Sequence, residues 1–364
     1  MSRVPAIDRA AFVARFGHPI EREAHAFGRV NLIGEHTDYN DGFVLPTSIP
    51  QATTVAIARR ADRQARIHSV TLDATATFEV GRETPTRGWV DYVQGVTQAL
   101  ARRGFAIGGF DLAVDSTVPV GSGLSSSAAL EVSVLRALRE LYALDLDDVT
   151  IAKIGRAAEN DFVGAPVGIM DQMASSLSQP GVALFIDTRS LEHQQVRLPA
   201  GTELVVINSG VAHNHAAGDY RTRRAECDRA ASLLGVAALR DVGLDRMDDV
   251  NALPEPMNRR ARHIVTENSR VLDAVAAMRA SDAASLGRLF SASHASQRDD
   301  FECSVPEVDR LVSMAETEPA VFGARLTGGG FGGSIVALVR AGEAAGVAGR
   351  VAAACGPGAT VLVP

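Results

Sequence analysis

Residues 28–40 carry the densest group of chemically active side chains in the sequence. They read Gly-Arg-Val-Asn-Leu-Ile-Gly-Glu-His-Thr-Asp-Tyr-Asn, so charged and polar groups surround a short apolar step. A core strand would not carry so many ionisable groups, because each buried charge needs a partner. Donors and acceptors together at one pocket mouth are what a polyhydroxy ligand requires. The residue chemistry alone is as consistent with a solvated loop as with such a pocket.

A second candidate site is the run Gly121-Ser-Gly123 followed by Ser125-Ser-Ser127. Glycines let the backbone approach an anion closely, and a helix that begins at these serines offers unpaired N–H groups. The pattern favours a phosphate-binding loop over an ordinary serine-capped helix start. It lacks the Gly-Lys-Ser/Thr ending of a Walker A motif. Neutralisation of a bound phosphate would therefore come from Mg²⁺ and an arginine.

Asp171 and a late glycine cluster are two further candidates. Asp171 lies between Met170 and Met173, so we expect it to be partly desolvated and to need a cationic neighbour. The glycine cluster at 328–333 is interrupted by Phe331 and followed at once by apolar residues. We therefore expect a packed loop there and not a flexible linker.

Alternating strands and helices would position these residues. Thr53, Val55 and Ile57 alternate with small residues, as in a half-buried strand. A helix is predicted from near Ser126 and another over 150–160, with Thr150 as its N-cap. Apolar patterns predict four further strands, at 110–114, 182–186, 204–207 and 335–339. They also predict one long helix at 264–278.

The length of 364 residues exceeds the size at which one hydrophobic core stops growing, so two domains are expected. The segment Leu198–Thr202 combines turn residues with a lull in the apolar pattern. We therefore predict an N-terminal domain over 1–200 and a C-terminal domain over 201–364.

Composition argues against several classes of function. A formal net charge of -7 is unsuited to a nucleic-acid partner, and the basic run at 221–224 is expected to be a solvated helix face. Three cysteines without a Cys-x-x-Cys pair indicate neither a disulfide framework nor structural zinc, which favours a cytoplasmic location. His213 and His215 are expected in an exposed loop, because no third metal ligand has suitable spacing. No apolar run approaches the ~18 residues of a membrane span.

Three segments together carry a resemblance to a known family. Residues 28–40 resemble the galactokinase signature, and 118–129 and 326–334 are similar to the second and third motifs of the GHMP small-molecule kinases. The three segments occur in the family's order and spacing. Resemblance continues through Gly168-Ile-Met-Asp-Gln172 and 293–301, so that it covers nearly the whole chain.

The resemblance implies the α+β GHMP architecture of two domains, with the active site in the cleft between them. It implies ATP- and Mg²⁺-dependent phosphorylation of α-D-galactose at its anomeric hydroxyl, with Asp171 and Arg29 as catalytic residues. The sugar-binding residues it implies are Arg29, Glu35, His36, Asp38, Gly168, Asp171 and Tyr220. For the nucleotide it implies Trp89, Tyr92, Gly121, Ser122, Gly123, Leu124, Ser125, Ser126, Ser127, Gly329 and Gly330. For the metal it implies Ser127 and Glu159.

Two alternatives remain open at this stage. A related GHMP kinase would act on N-acetylgalactosamine or arabinose, although Thr37 and Asn40 favour galactose. A sensor would bind galactose and ATP without catalysis, although the pair Ser127-Ala128 favours an enzyme. Residues 211–217 match the family poorly, and Phe27 stands where the family usually has proline. The sequence does not set the oligomeric state, and a monomer is compatible with it. Core packing is an equally good explanation for Trp89 and Tyr92.

Overall fold

The computed structural model describes residues 4–212, 216–356 and 358–363. His213 and His215, expected in an exposed loop, lie outside the described residues. Among the described residues, no helix combines the length and apolar character needed to cross a membrane.

Helices and strands alternate irregularly along the chain. The α-helices are α1 (Arg9–Phe16), α2 (Val90–Arg102), α3 (Ser126–Tyr142), α4 (Asp148–Ala157), α5 (Met170–Leu177), α6 (Ala216–Leu234), α7 (Met247–Asn251), α8 (Met257–Arg279), α9 (Ala283–Asp299), α10 (Pro306–Glu316) and α11 (Ala344–Cys355). A π-helical turn, Ala158–Val163, continues α4, and 3₁₀ turns lie at Asp38–Asn40, Leu239–Asp241 and Leu244–Arg246. The strands are β1 (Arg22–Asn31), β2 (Phe43–Val44), β3 (Pro46–Arg59), β4 (Gln64–Ser69), β5 (Ala74–Glu79), β6 (Phe110–Ser116), β7 (Val182–Asp187), β8 (His193–Arg197), β9 (Thr202–Ala212), β10 (Val321–Thr327), β11 (Gly332–Arg340) and β12 (Thr360–Val363).

The chain forms two compact units, and each is discontinuous in sequence. Unit 1 comprises Met1–Arg29, Ser48–Val120 and Leu124–Leu177. Unit 2 comprises Val30–Thr47, Gly121–Gly123 and Ser178–Pro364. The predicted domain division at residue 200 stays a prediction.

Unit 1 is built on a sheet in which β3 pairs with β6 antiparallel, β6 with β4 parallel, and β4 with β5 antiparallel. The expectation of a half-buried strand at 53–57 was wrong, because both faces of β3 are buried there. One face packs against α2, α3 and α4 through Val55 and Ile57. On the other face, Ala56 and Ala58 leave room for α1, whose Phe12 packs against them.

The helices that follow the serine run begin close to the predicted positions. Helix α3 starts at Ser126, as predicted. The N-cap of α4 is Asp147 and not Thr150, so that prediction was wrong. The Asp147 carboxylate accepts the Thr150 N–H at 2.6 Å, since an N-cap carboxylate three residues upstream captures a free amide of the first turn.

Unit 2 contains an antiparallel sheet in the order β10-β11-β9-β12. Its apolar face packs against the helices α6, α8, α10 and α11. Helix α9 and strand β10 approach each other closely at Gly287 and Gly323. A Cβ on Gly287 would lie 2.1 Å from the Phe322 carbonyl oxygen, and a Cβ on Gly323 would lie 2.1 Å from the Gly287 oxygen. The strands predicted at 110–114, 182–186, 204–207 and 335–339 and the helix predicted at 264–278 are confirmed. Helices packed on antiparallel and mixed sheets confirm the α+β class.

Candidate active site

Asp171 forms an ion pair with Arg29 inside unit 1. Asp171 lies in the first turn of α5, and Arg29 lies on β1 and is 4% exposed. The Arg29 Nε donates to Asp171 Oδ1 at 2.8 Å, and Nη2 lies 2.7 Å from the same oxygen. The cationic neighbour that the sequence predicted for this aspartate is therefore confirmed. Gly168 is buried three residues before Asp171.

Two residues of the serine loop hold the same pair. The Leu124 carbonyl accepts the Arg29 N–H at 3.1 Å, and the Ser125 hydroxyl donates to Asp171 Oδ2 at 2.6 Å. Residue 28 must be glycine for this approach, because a Cβ there would lie 2.8 Å from the Leu124 oxygen. Asp171 therefore has a donor on each carboxylate oxygen, one from β1 and one from the loop.

Glu159 lies beside this pair on the π-helical turn and is 6% exposed. Burial, and next the charge of Asp171, raise the pKa of Glu159 to about 7. A hydrogen bond from Ser127 and one from Gln172, whose Nε2 lies 2.9 Å from Glu159 Oε2, oppose that shift. The two residues that the resemblance implied for the metal are thus in contact with each other.

Glu131 is a carboxylate that the sequence analysis missed. It is fully buried on α3, and the Gln172 Nε2 lies 3.1 Å from its Oε2. Burial, and then the charge of Glu159, raise the pKa of Glu131 well above its usual range. The signal was weak, because Glu131 lies beyond the serine run and belongs to no motif. Neutral donors hold Glu131 and Glu159, and the charge of Arg29, which also lowers the pKa of Glu159, is already paired with Asp171.

Trp89 and Tyr92 line a pocket next to the same loop. Its walls also include Val118 and Leu130, and Ser126 and Ser127 lie at one side. Both aromatic side chains are half-buried. Burial, and next the negative charge of Glu159, raise the pKa of Tyr92 to about 12, so its hydroxyl stays protonated. An apolar slot open beside a phosphate-type loop can hold a flat heterocycle.

Glu35 is held in unit 2 by protein donors. It is 1% exposed; Oε1 accepts the Gly328 N–H at 2.9 Å, and Oε2 accepts the Asn31 amide at 2.8 Å. The Arg325 Nη2 forms an ion pair with the same Oε2. Burial raises the pKa of Glu35, and Arg325 opposes the shift. The carboxylate therefore fixes the backbone around it as well as offering lone pairs.

Arg325 was also missed by the sequence analysis, and it is the largest fully buried side chain in the described structure. It donates to the Leu32 carbonyl at 2.8 Å and lies 3.8 Å from Glu267 Oε1. Glu267 in turn accepts the Gly34 N–H at 2.9 Å and pairs with Arg270 at 2.6 Å. The available signal was an arginine inside an apolar strand, which needs a buried acid.

His36 lies in an aromatic cluster of unit 2. Its ring centroid is 4.5 Å from that of Phe301 and 5.4 Å from that of Tyr220, and Nδ1 lies 2.8 Å from the Tyr39 hydroxyl. Burial lowers the pKa of His36 to about 3, so the ring is neutral. Asp38, two residues on, is half-buried and its Oδ1 accepts the Tyr39 N–H at 3.0 Å. Tyr220 is half-buried as well.

The two glycine clusters approach each other in unit 2. The Ser334 hydroxyl donates to the Ser122 carbonyl at 2.9 Å, and a Cβ on Gly328 would lie 3.1 Å from the Gly123 oxygen. Gly330 has a φ of 81°, and a Cβ there would meet the Cys303 oxygen at 2.4 Å. Gly329 is exposed, and Gly121 has a φ of 75°. The expectation of a packed loop at 328–333 is confirmed.

Comparison with known proteins follows the same segments. The family model for the galactokinase galactose-binding signature matches residues 10–59. Those for the GHMP kinase N-terminal and C-terminal domains match 91–179 and 274–357.

Relatives match over most of the chain. A galactokinase of Chloroflexus aurantiacus is 46% identical over 91% of this chain and 87% of its own, and one of Glaesserella parasuis is 43% identical over 92% and 89%. The crystal structure of Lactococcus lactis galactokinase complexed with galactose has a TM-score of 0.92 at 32% identity, covering 98% of this chain and 96% of that one. A mevalonate kinase structure shares the fold alone, with a TM-score of 0.69 at 17% identity. With these matches, the chain belongs to the galactokinase family of the GHMP kinases.

Proposed function

We propose that this enzyme transfers the γ-phosphoryl group of ATP to the anomeric hydroxyl of α-D-galactose and forms galactose 1-phosphate. The observation that carries the proposal is the Arg29–Asp171 pair, tied by two hydrogen bonds to the serine loop, in a chain that also has the galactose-binding signature. An ionised carboxylate next to a phosphate-type loop suits a hydroxyl acceptor and a phosphoryl donor.

In this proposal Asp171 orients the acceptor hydroxyl and takes its proton. Arg29 anchors the Asp171 carboxylate through their ion pair and stabilises charge on the transferred group. Asp38, Tyr220, His36 and Glu35 bind the ring hydroxyls, and the Gly168 backbone completes the contacts. A carboxylate that accepts from two sugar hydroxyls rejects an epimer, because the wrong stereochemistry leaves it unpaired.

The nucleotide is assigned to the loop and the aromatic pocket. The N–H groups of residues 121–127 and of Gly329 and Gly330 surround the phosphates. Trp89 and Tyr92 flank the adenine. This assignment predicts that ATP binding depends on the pocket and is insensitive to Asp38.

Mg²⁺ fits the residues Ser127 and Glu159. Both offer oxygen, the ligand that Mg²⁺ prefers, and a protein commonly supplies one or two such ligands beside the substrate phosphates. Glu159 is a buried carboxylate with neutral donors, so a cation would satisfy it. Bound Mg²⁺ would neutralise charge on the β- and γ-phosphates.

Release of ADP across a sugar panel tests the proposed reaction. We expect turnover with galactose and little or none with glucose, N-acetylgalactosamine or arabinose. Phosphate should appear on the anomeric oxygen, as seen by ³¹P–¹H NMR of the product. Turnover of another sugar in preference to galactose would replace the assigned substrate, and ATP binding with no turnover would make the protein a sensor.

The metal assignment has its own test. Glu159→Gln should raise the Mg²⁺ concentration needed for tight ADP binding, measured by calorimetry without sugar, and leave galactose binding unchanged. Asp161→Asn, on the same π-helical turn but exposed, is the matched control. Identical Mg²⁺ dependence in Glu159→Gln and wild type would remove Glu159 from the site.

A further inference from the structure

The three consecutive serines of the loop have different surroundings. Ser127 hydrogen-bonds Glu159, and Ser126 lines the aromatic pocket. Ser125 is 8% exposed, and its hydroxyl donates to Asp171 Oδ2 at 2.6 Å. Of the three, Ser125 is therefore the one whose side chain reaches the catalytic carboxylate.

The chemistry of a hydroxyl limits what Ser125 can do. A serine has one O–H donor, and an ionised carboxylate accepts only. The Ser125 proton is therefore directed at Asp171. A phosphate oxygen also needs a donor, so the side chain cannot serve Asp171 and a phosphate at once. Only the backbone N–H of Ser125 is free of this conflict.

The backbone at Ser125 gives a second, independent observation. Its φ of 62° and ψ of 49° lie in the left-handed region, which glycine adopts without steric cost and serine does not. Gly121 and Gly123 in the same loop have positive φ values and no side chain. A side chain kept at a strained position indicates that the hydroxyl has a use there.

The carboxylate of Asp171 is consequently held from two sides. Arg29 occupies Oδ1 and Ser125 occupies Oδ2, and the Leu124 carbonyl accepts the Arg29 N–H. Without Ser125, the carboxylate keeps one anchor and can turn about its Cβ–Cγ bond. Small misplacements of a reacting group lower the rate strongly, by roughly a hundredfold for about 1 Å.

We propose that Ser125 is a positioning residue that orients the Asp171 carboxylate toward the acceptor hydroxyl, and that its side chain does not bind the nucleotide. The inference rests on the proposed galactose phosphorylation. It moves Ser125 from the set of nucleotide ligands to the set that acts through Asp171.

Ser125→Ala tests this by separating turnover from binding. We expect kcat to fall roughly 10- to 100-fold, the effect of one hydrogen bond to a charged group. The dissociation constants of ATP and galactose, measured separately by calorimetry, should stay within twofold. Ser133→Ala on α3 removes a hydroxyl that donates to the Leu130 carbonyl and should leave all three values unchanged.

Two further variants exclude a merely structural effect. Ser125→Gly should lose as much kcat as Ser125→Ala while unfolding at a higher temperature, since glycine relieves the strain. In an Asp171→Asn background, Ser125→Ala should add no further loss of kcat, because both changes act on one group.

Either of two results would overturn the proposal. One is a weaker affinity of Ser125→Ala for ATP with unchanged kcat, which would make the side chain a phosphate ligand. The other is additive losses of kcat in the double variant. Failure of the proposed function is separate, because it would appear as absent turnover of galactose by the wild type.

Discussion

Two buried carboxylates of unit 1, Glu131 and Glu159, have different neighbours from Glu267 of unit 2. In unit 2, Glu267 pairs with Arg270 and lies close to Arg325. Burial alone would raise the pKa of Glu267, but the positive charges of Arg270, His263 and Arg325 lower it to about 2. In unit 1, Glu131 and Glu159 are held by a glutamine and a serine, and burial raises the pKa of both.

The difference distinguishes scaffold from chemistry. A fully buried acid with its cation in place is already neutralised, so it has little need of a ligand that brings positive charge. A buried acid without one favours a ligand that brings positive charge, and perturbed pKa values of this kind cluster at functional sites. We therefore expect a change at Glu267 to appear mainly as lost stability, and a change at Glu159 mainly as lost activity.

The largest effect is expected at Asp171, the proposed catalytic carboxylate. Asp171→Asn should lower kcat by about 10²- to 10⁴-fold, because the amide cannot take the proton of the acceptor hydroxyl. Steady-state ADP release and circular dichroism on the same sample measure activity and fold. Arg102 loosely pairs with Asp161 at the surface, so Asp161→Asn should change neither. A folded Asp171→Asn variant with more than half of wild-type turnover would contradict the role.

The next largest effect is expected on stability, at Glu267 and its arginine partners. Glu267→Gln should lower the free energy of unfolding by about 3 kcal/mol, because it leaves buried arginines without their acid. Urea unfolding at pH 7 measures this. Glu255→Gln breaks a pair in which the glutamate is 69% exposed and should have little effect. Equal effects of the two changes would end the distinction between the regions.

Acid pH should weaken unit 2 through His263. Burial lowers the pKa of His263 to about 4, and an unfolded histidine titrates near 6.5. The unfolded state thus binds the proton first, so this contribution to stability is complete above pH 6.5 and is lost as the pH falls toward 4. By pH 5 the loss should be about 2 kcal/mol.

Urea unfolding at pH 7 and pH 5 checks the sign of this effect. The free energy of unfolding of the wild type relative to that of His263→Gln should fall by about 2 kcal/mol between pH 7 and pH 5. The exposed His193, changed to Gln, serves as the control and should not alter the pH dependence. A wild-type advantage that grows toward acid pH would contradict the assignment.

The smallest effect is expected at Glu131, where a substitution should not lower the free energy of unfolding. Glu131→Gln should leave the free energy of unfolding unchanged or raise it by up to about 1 kcal/mol, because the neutral amide avoids a buried charge beside Glu159. Paired with Glu267→Gln under identical urea conditions, it compares two fully buried glutamates directly. A loss of 2 kcal/mol or more in Glu131→Gln would contradict the comparison.

Local patterns in the sequence predicted much of the fold. Apolar spacing identified β6, β9 and α3, and the need of a desolvated acid for a cation predicted a partner for Asp171. The features that these patterns did not predict depend on segments that are distant in the sequence. The second buried face of β3 requires α1 above it, and Glu131 looks like an ordinary helix residue until α5 brings Gln172 beside it.

The Glu35–Arg325 pair has a consequence for synthesis on the ribosome. The two residues are 290 positions apart in the chain. At 5–20 residues per second, Glu35 is made roughly 15 to 60 s before Arg325. Throughout that interval the signature segment lacks the guanidinium that supports its backbone. The galactose-binding signature therefore emerges among the first parts of the nascent protein and is among the last to reach its final form.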